Sequence, residues 1–189
     1  MVRSLSVLIV GMLVSVSSVC AELQLTPRMV EYEVDGITRQ QLAFDDGTKT
    51  VTYQSPRSWL YFGTSTQLIL RPPGKLDAEA TVTRVPLSGS VSFDEEDIKR
   101  LVDDALERLP QGGEKNKVLS QEKNPLMIQG KETFLVTISY TLYGQQYARS
   151  ILFLNRGDEQ IRSQLTCREE DFKELQAVFL RSQFTWQNL

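Results

Sequence analysis

The chain has no histidine, and only two cysteines among its 189 residues. The missing imidazole removes the commonest general base, the usual helper of a serine or cysteine nucleophile, and a favoured ligand of zinc, copper and iron. Cys20 falls in an N-terminal stretch that reads as a cleaved leader, so Cys167 stands alone in the remainder. One thiol forms no intramolecular disulfide, and the core must carry stability by itself. Cations are short as well: 21 Lys+Arg against 24 Asp+Glu give a net charge of −3. That balance speaks against nucleic acid as a partner, because phosphate contacts need clustered Lys and Arg. It speaks equally against strong attachment to anionic lipid. Gly-rich phosphate loops, low-complexity tracts and fixed-period repeats are absent too, which predicts one domain.

What is present begins with the leader. Arg3 supplies the positive n-region, Leu5 to Val16 is almost unbroken in apolar character, and Val19-Cys20-Ala21 offers small residues for a signal peptidase. The apolar stretch is shorter than the roughly 20 residues that cross a bilayer, and no stop-transfer pattern follows. Cleavage before a lipid-modified Cys20 would want a small residue just before it and an aliphatic one three before. Val19 and Ser17 stand there instead. The expectation is a signal peptide over 1–21 and a single α+β domain over 22–189, periplasmic or secreted, beginning at Glu22. Without Arg3 the net charge is one unit more negative.

The first half predicts strands divided by turn chemistry. Met29 to Val34 ends at Asp35-Gly36, a hairpin signal, and Leu42 to Phe44 runs into Asp45-Asp46-Gly47. Thr48 to Tyr53 places Val51 and Tyr53 on one face. Trp59 to Phe62, Thr66 to Leu70 and Ala78 to Val85 follow, broken by Pro56 and by Pro72-Pro73-Gly74. A helix then starts at the N-cap candidate Asp94, with Asp97 as the reciprocal acid of a capping box. Its buried stripe is Ile98, Leu101, Val102, Ala105 and Leu109, and Pro110 with Gly112-Gly113 ends it.

The second half carries the stronger β signal. Phe134, Val136, Ile138, Tyr140 and Leu142 alternate, Gly144-Gln145 turns, and Tyr147 to Leu154 returns apolar on both faces, as a central strand covered twice. After Asn155-Arg156-Gly157-Asp158, Ile161, Ser163, Leu165 and Cys167 point one way and Arg162, Gln164 and Thr166 the other. This predicts a three-stranded antiparallel meander. Thr166 and Glu169 predict a capping box for a last helix striped by Phe172, Leu175, Val178 and Phe179 and closed at Ser182, before Phe184 and Trp186. Two amphipathic helices around an antiparallel sheet make an α+β domain, an α/β/α sandwich.

Two stretches carry a resemblance. Tyr53-Gln-Ser-Pro56-Arg-Ser-Trp59 is similar to the Tyr-Pro-x-x-Trp entry of PsbP and Mog1-like domains. Asp171-Phe172 with Phe179-x-x-Ser182-x-Phe184 resembles their final helix. The likeness covers about residues 40–186. It implies an antiparallel sheet between helices that acts as a binding or assembly module, and it transfers no functional residue.

Each candidate chemistry meets a plainer explanation. Cys167 could be a thiolate at a helix N-terminus, but with no histidine as base it reads as a small hydrophobe in the inward row. Ser120-Gln-Glu-Lys123 spells S-x-x-K, yet Asn124-Pro125 follows and the S-D-N and K-T-G companions are missing. Asp94-Glu95-Glu96-Asp97 lacks the curved spacing of a calcium loop and suits a helix dipole. Asp45-Asp46 is simplest as turn chemistry. Tyr53, Trp59, Tyr61 and Phe62 could line a ligand groove, although strand aromatics usually fill cores. The expectation is therefore an exported, non-enzymatic module that binds another envelope protein, as a monomer or weak oligomer. No catalytic, cofactor-binding or metal residue is assigned. Surface loops such as Pro72 to Leu76 and Gln111 to Lys117 would carry the contacts. The rivals are a hydrolase using two carboxylates about 5–10 Å apart in an aromatic-lined cleft, and a structural envelope component that self-associates.

Overall fold

A computed structural model describes residues 22–189 apart from Thr48 and Ser90, so the expected leader lies outside the described residues. Ten strands and two helices follow in the order β1 (Gln24–Val34), β2 (Ile37–Asp46), β3 (Lys49–Tyr53), β4 (Leu60–Gly63), β5 (Gln67–Arg71), β6 (Glu79–Pro86), α1 (Glu95–Glu107), β7 (Glu114–Lys123), β8 (Thr133–Leu142), β9 (Gln145–Arg156), β10 (Glu159–Arg168) and α2 (Glu169–Gln183). Strands β1-β2-β3 form a small sheet, and β4-β5-β6-β10-β9-β8-β7 form a large one; adjacent strands pair antiparallel throughout. The α+β architecture anticipated from the sequence is the one observed.

The meander sits at the centre because its alternation leaves no other arrangement. Phe134 pairs with Phe153 and Val136 with Ile151 on one face, and the alternate row, Leu135 with Leu152, faces the other. One face packs Phe134, Val136, Ile138, Ile151 and Phe153 under α1, whose Leu101, Val102 and Ala105 are buried there. The other face sends Leu135, Leu152, Leu154, Leu165 and Cys167 toward α2 and the small sheet, together with Phe44, Tyr53, Trp59, Phe179 and Trp186. Strand β9 is buried from Ala148 to Leu154, as its apolar character on both faces requires. Each fully buried Leu or Phe contributes about 1.5–3 kcal/mol, so these two layers hold the sandwich.

The structure corrects the sequence expectation in three places. Glu114 to Lys117, expected in a surface loop, opens β7, and S-x-x-K lies on the same extended edge strand rather than on a helix. Its charged residues guard the exposed edge against pairing with another chain. Thr166 does not cap α2: it belongs to β10, where its hydroxyl accepts from Arg149 Nε at 3.1 Å, and the N-cap is Arg168 without a side-chain cap bond. At α1 Asp94 does cap, accepting from Asp97 N at 2.9 Å, but the Asp97 carboxylate reaches back to Ser92 N at 2.7 Å instead of closing a box.

Where β1 crosses the edge of the large sheet, only glycine fits. A Cβ on Gly63 would meet Pro27 Cδ and come within 2.5 Å of the Leu25 carbonyl oxygen. Leu25 N donates to Ser65 O at 2.9 Å in the same place, locking the small sheet onto the large one. Among the described residues no helix is long and apolar enough to cross a membrane.

Candidate functional site

A groove of about 960 Å³ opens between the β1–β2 hairpin, the loop from Gln54 to Trp59, and the C-terminal half of α2. Its floor is fixed by a buried polar network. Tyr53 Oη and Ser182 Oγ share a hydrogen bond at 2.6 Å, and Gln183 Oε1 accepts from Ser163 Oγ at 2.8 Å and Trp186 Nε1 at 3.1 Å. Burial raises the Tyr53 phenol far above its ordinary value, so it stays neutral. The chain beyond α2 then returns to β3: Thr52 N donates to Gln187 O at 3.1 Å and Gln187 N to Thr52 O at 2.9 Å. Gln54 N donates to Thr185 Oγ1 at 2.9 Å, and Gln54 Nε2 to Tyr32 Oη at 2.8 Å. Hairpin, loop and helix are thereby tied into one wall.

These bonds explain the two family-like stretches in physical terms. Tyr53 stacks on Trp186 with centroids 4.4 Å apart, and Trp59 stacks on Phe179 at 6.3 Å. Of the four aromatics considered for a ligand groove, Tyr53 and Trp59 fill the core and Tyr61 is half-buried, Trp59 and Tyr61 also reaching the groove wall; Phe62 is exposed and lies outside it. The loop between Pro56 and Trp59 closes through Trp59 N donating to Pro56 O at 3.2 Å, with Ser58 at φ 65°. That conformation usually belongs to glycine.

Charge distinguishes the groove. Arg39, Arg57 and Arg181 line it, together with exposed Met29, Ile37 and Val178, and among the described residues no carboxylate does. Register places Arg39 opposite Tyr32; the neighbouring acids Glu31 and Glu33 pair with Gln40 and Thr38, and Gln40 Nε2 donates to Glu31 Oε1 at 3.4 Å.

A second groove of about 740 Å³ lies across the large sheet, beside the Pro72 to Leu76 loop. Tyr140 and Tyr147 stack there at 5.7 Å, and Arg149 lies over Tyr140 while donating to the Arg108 carbonyl at 2.9 Å. Two carboxylates line this aromatic groove, but Arg168 holds Asp77 at 2.8 Å and Arg71 holds Glu79 at 2.7 Å. Leu76 stands fully exposed at the loop tip.

The remaining sequence candidates are elsewhere. Cys167 is buried in the inward row, and burial first, then Asp171, pushes its thiol from 9.0 up to about 12. Asp45 makes the expected turn, accepting from Gly47 N at 2.9 Å. Asp46 does more: it is buried and pairs with Arg156, which also holds Glu159, while Arg84 reaches Glu159 at 3.6 Å and Glu22 at 2.9 Å. This network bolts the end of β2 to the β9–β10 turn and β6.

No protein-family model matches the chain, and no curated protein sequence is significantly similar to it. Solved structures do resemble it. The PA94 protein of Pseudomonas aeruginosa is 16% identical, with 83% of this chain and 94% of that one covered at a TM-score of 0.52. LpqN of Mycobacterium tuberculosis, described as involved in cell envelope biogenesis, is 11% identical, with 85% and 90% covered at 0.50. The cyanobacterial PsbP protein CyanoP of Synechocystis is 13% identical, with 94% and 99% covered; its TM-score of 0.49 gives it no weight of its own. At such identities the likeness is one of fold.

Proposed function

We propose that the protein is a non-catalytic binding module of the cell envelope or extracellular space, and that it engages a protein partner through the groove between the β1–β2 hairpin and α2. The observation that carries this reading is the composition of that groove: three arginines, three exposed apolar side chains and no carboxylate, on a wall made rigid by buried hydrogen bonds. Rigid walls with apolar anchors and cationic rims suit recognition. The leader-like N-terminus supports export, and the fold shared with LpqN, a protein of envelope biogenesis, supports an envelope setting.

The test places a photo-crosslinking residue at Ile37 or at Val178 in the protein within its native envelope, with Lys99 on α1 as the control position. A discrete protein adduct is expected from both groove positions and not from Lys99. Adducts that form equally from all three positions, or from none, would refute the groove as the recognition surface.

A further inference from the structure

The groove's three arginines are set apart from every other arginine described. Arg39, Arg57 and Arg181 make no side-chain hydrogen bond, ion pair or ring contact among the described residues. The arginines of β5, β6, β9, β10 and α1 with its C-cap hold carboxylates or, for Arg149, a hydroxyl and a carbonyl oxygen. Arg28 on β1 donates to Thr50. Acids outnumber bases 24 to 21 in this chain, yet these three guanidinium groups share one concavity that no described carboxylate lines. Like charges gathered in a concave, partly apolar site raise the local potential and favour an anion.

The size and the apolar rim say what kind of anion. At about 960 Å³ the groove exceeds what a single phosphate or carboxylate fills. Met29, Ile37 and Val178 are 44%, 57% and 37% exposed and call for apolar contacts that a small ion lacks. A bilayer surface does not enter a concavity, and the net charge of −3 opposes anionic lipid. Three cations are too few for nucleic acid. A peptide segment satisfies both demands, because a guanidinium takes a carboxylate in a two-pronged hydrogen bond.

We propose that the groove receives an acidic segment of the partner protein, its carboxylates meeting Arg39, Arg57 and Arg181 and its apolar side chains resting on Met29, Ile37 and Val178. This deepens the binding-module reading and rests on it.

The test uses the purified protein and a short fluorescein-labelled peptide alternating glutamate with leucine, read by anisotropy. A lysine–leucine peptide and vesicles containing phosphatidylglycerol serve as competitors for the same reading. The acidic peptide should bind with an affinity that falls steeply with salt. Each single Arg→Ala change should weaken it about two- to fivefold, and Arg39→Glu/Arg57→Glu/Arg181→Glu together by about a hundredfold. The triple variant Lys99→Glu/Lys115→Glu/Lys117→Glu changes net charge equally away from the groove and should leave binding within twofold. Near-UV circular dichroism checks that both triple variants keep the fold. Equal binding of the lysine–leucine peptide, equal loss in both triple variants, or groove-dependent binding of vesicles in place of the peptide would each overturn the proposal. Crosslinks that form from Ile37 and Val178 while the acidic peptide fails to bind would leave the recognition surface standing and remove only its charge preference.

Discussion

Arg156 and Arg181 carry the same charge in opposite settings. Arg156 is largely enclosed between buried Asp46 and Glu159, with side-chain exposures of 14%, 4% and 6%, and both of its carboxylates come from strands that it joins. Arg181 stands exposed on α2 at the groove with nothing to hold. The first arrangement is paired because an isolated charge there would be ruinous; the second is left open because water solvates it until a ligand arrives. A partner carboxylate therefore separates Arg156, which builds this protein, from Arg181, which is available to recognise something.

Removing each kind should give contrasting results. Arg156→Ala leaves the buried carboxylates of Asp46 and Glu159 with only Lys49 and Arg84, each at 3.6 Å, and should cost about 2–4 kcal/mol of unfolding free energy, measured by urea denaturation, with peptide affinity unchanged in the fraction that remains folded. Arg181→Ala should do the reverse, weakening the peptide while moving stability by less than about 0.5 kcal/mol. Similar stability losses in the two variants would erase the distinction.

Gln183 sharpens the comparison from the neutral side. Its Oε1 is the acceptor for both Ser163 Oγ and Trp186 Nε1, all within the core. Gln183→Leu keeps the volume and leaves two buried donors without an acceptor, a loss of about 2–4 kcal/mol. The groove floor should loosen with it, so hydrogen exchange at Gln54 and Gln187 should accelerate before global unfolding. Unchanged protection at those amides would mean the polar network does not brace the groove.

Alkaline pH probes the buried groups in solution. Cys167 is held up to about 12 from 9.0, and Tyr53 is raised above 10.0 by burial. Both folded values lie above the unfolded ones, so this stabilisation is complete below about pH 9. It is lost as pH climbs toward the folded values, where the unfolded chain has already released its protons. Denaturation midpoints should fall from about pH 9 upward, and Cys167→Val should flatten the first part of that decline. An identical alkaline limb in the variant would show that the thiol does not contribute to it.

How much of this could be read from residues alone depended on whether the signal was local. The β8–β9–β10 meander was legible because period-two alternation survives for ten residues at a time, and α1 because its apolar stripe and Asp94 cap coincide. Strand β7 was hidden by the charges that protect it as an edge, since Glu114, Lys115 and Lys117 read as loop. The Thr166 box was misleading because the hydroxyl already serves Arg149 across the strand pair. The groove as a whole had little local signature: its walls come from positions as distant as Met29 and Thr185, joined by the bonds through Thr52, Tyr53, Gln54 and Gln183. Trp59 and Tyr61, among the aromatics weighed for a ligand groove, were the visible hint, and only the fold brings Arg39, Arg57 and Arg181 to them.

The smallest effect concerns the backbone under Arg57. Ser58 holds φ 65° at the corner of the Pro56–Trp59 turn, a conformation a side chain adopts at some cost and glycine adopts freely. Ser58→Gly should therefore raise stability by about 0.5–1 kcal/mol, a gain of about 1–4 °C in Tm by calorimetry. The same freedom should let Arg57 wander, so affinity for the acidic peptide should drop by about twofold while the protein becomes more stable. Opposite signs for stability and affinity are the mark of a residue whose strain serves the groove. A fall in both would place Ser58 among the builders, with Arg156, and not among the groups kept ready for a partner.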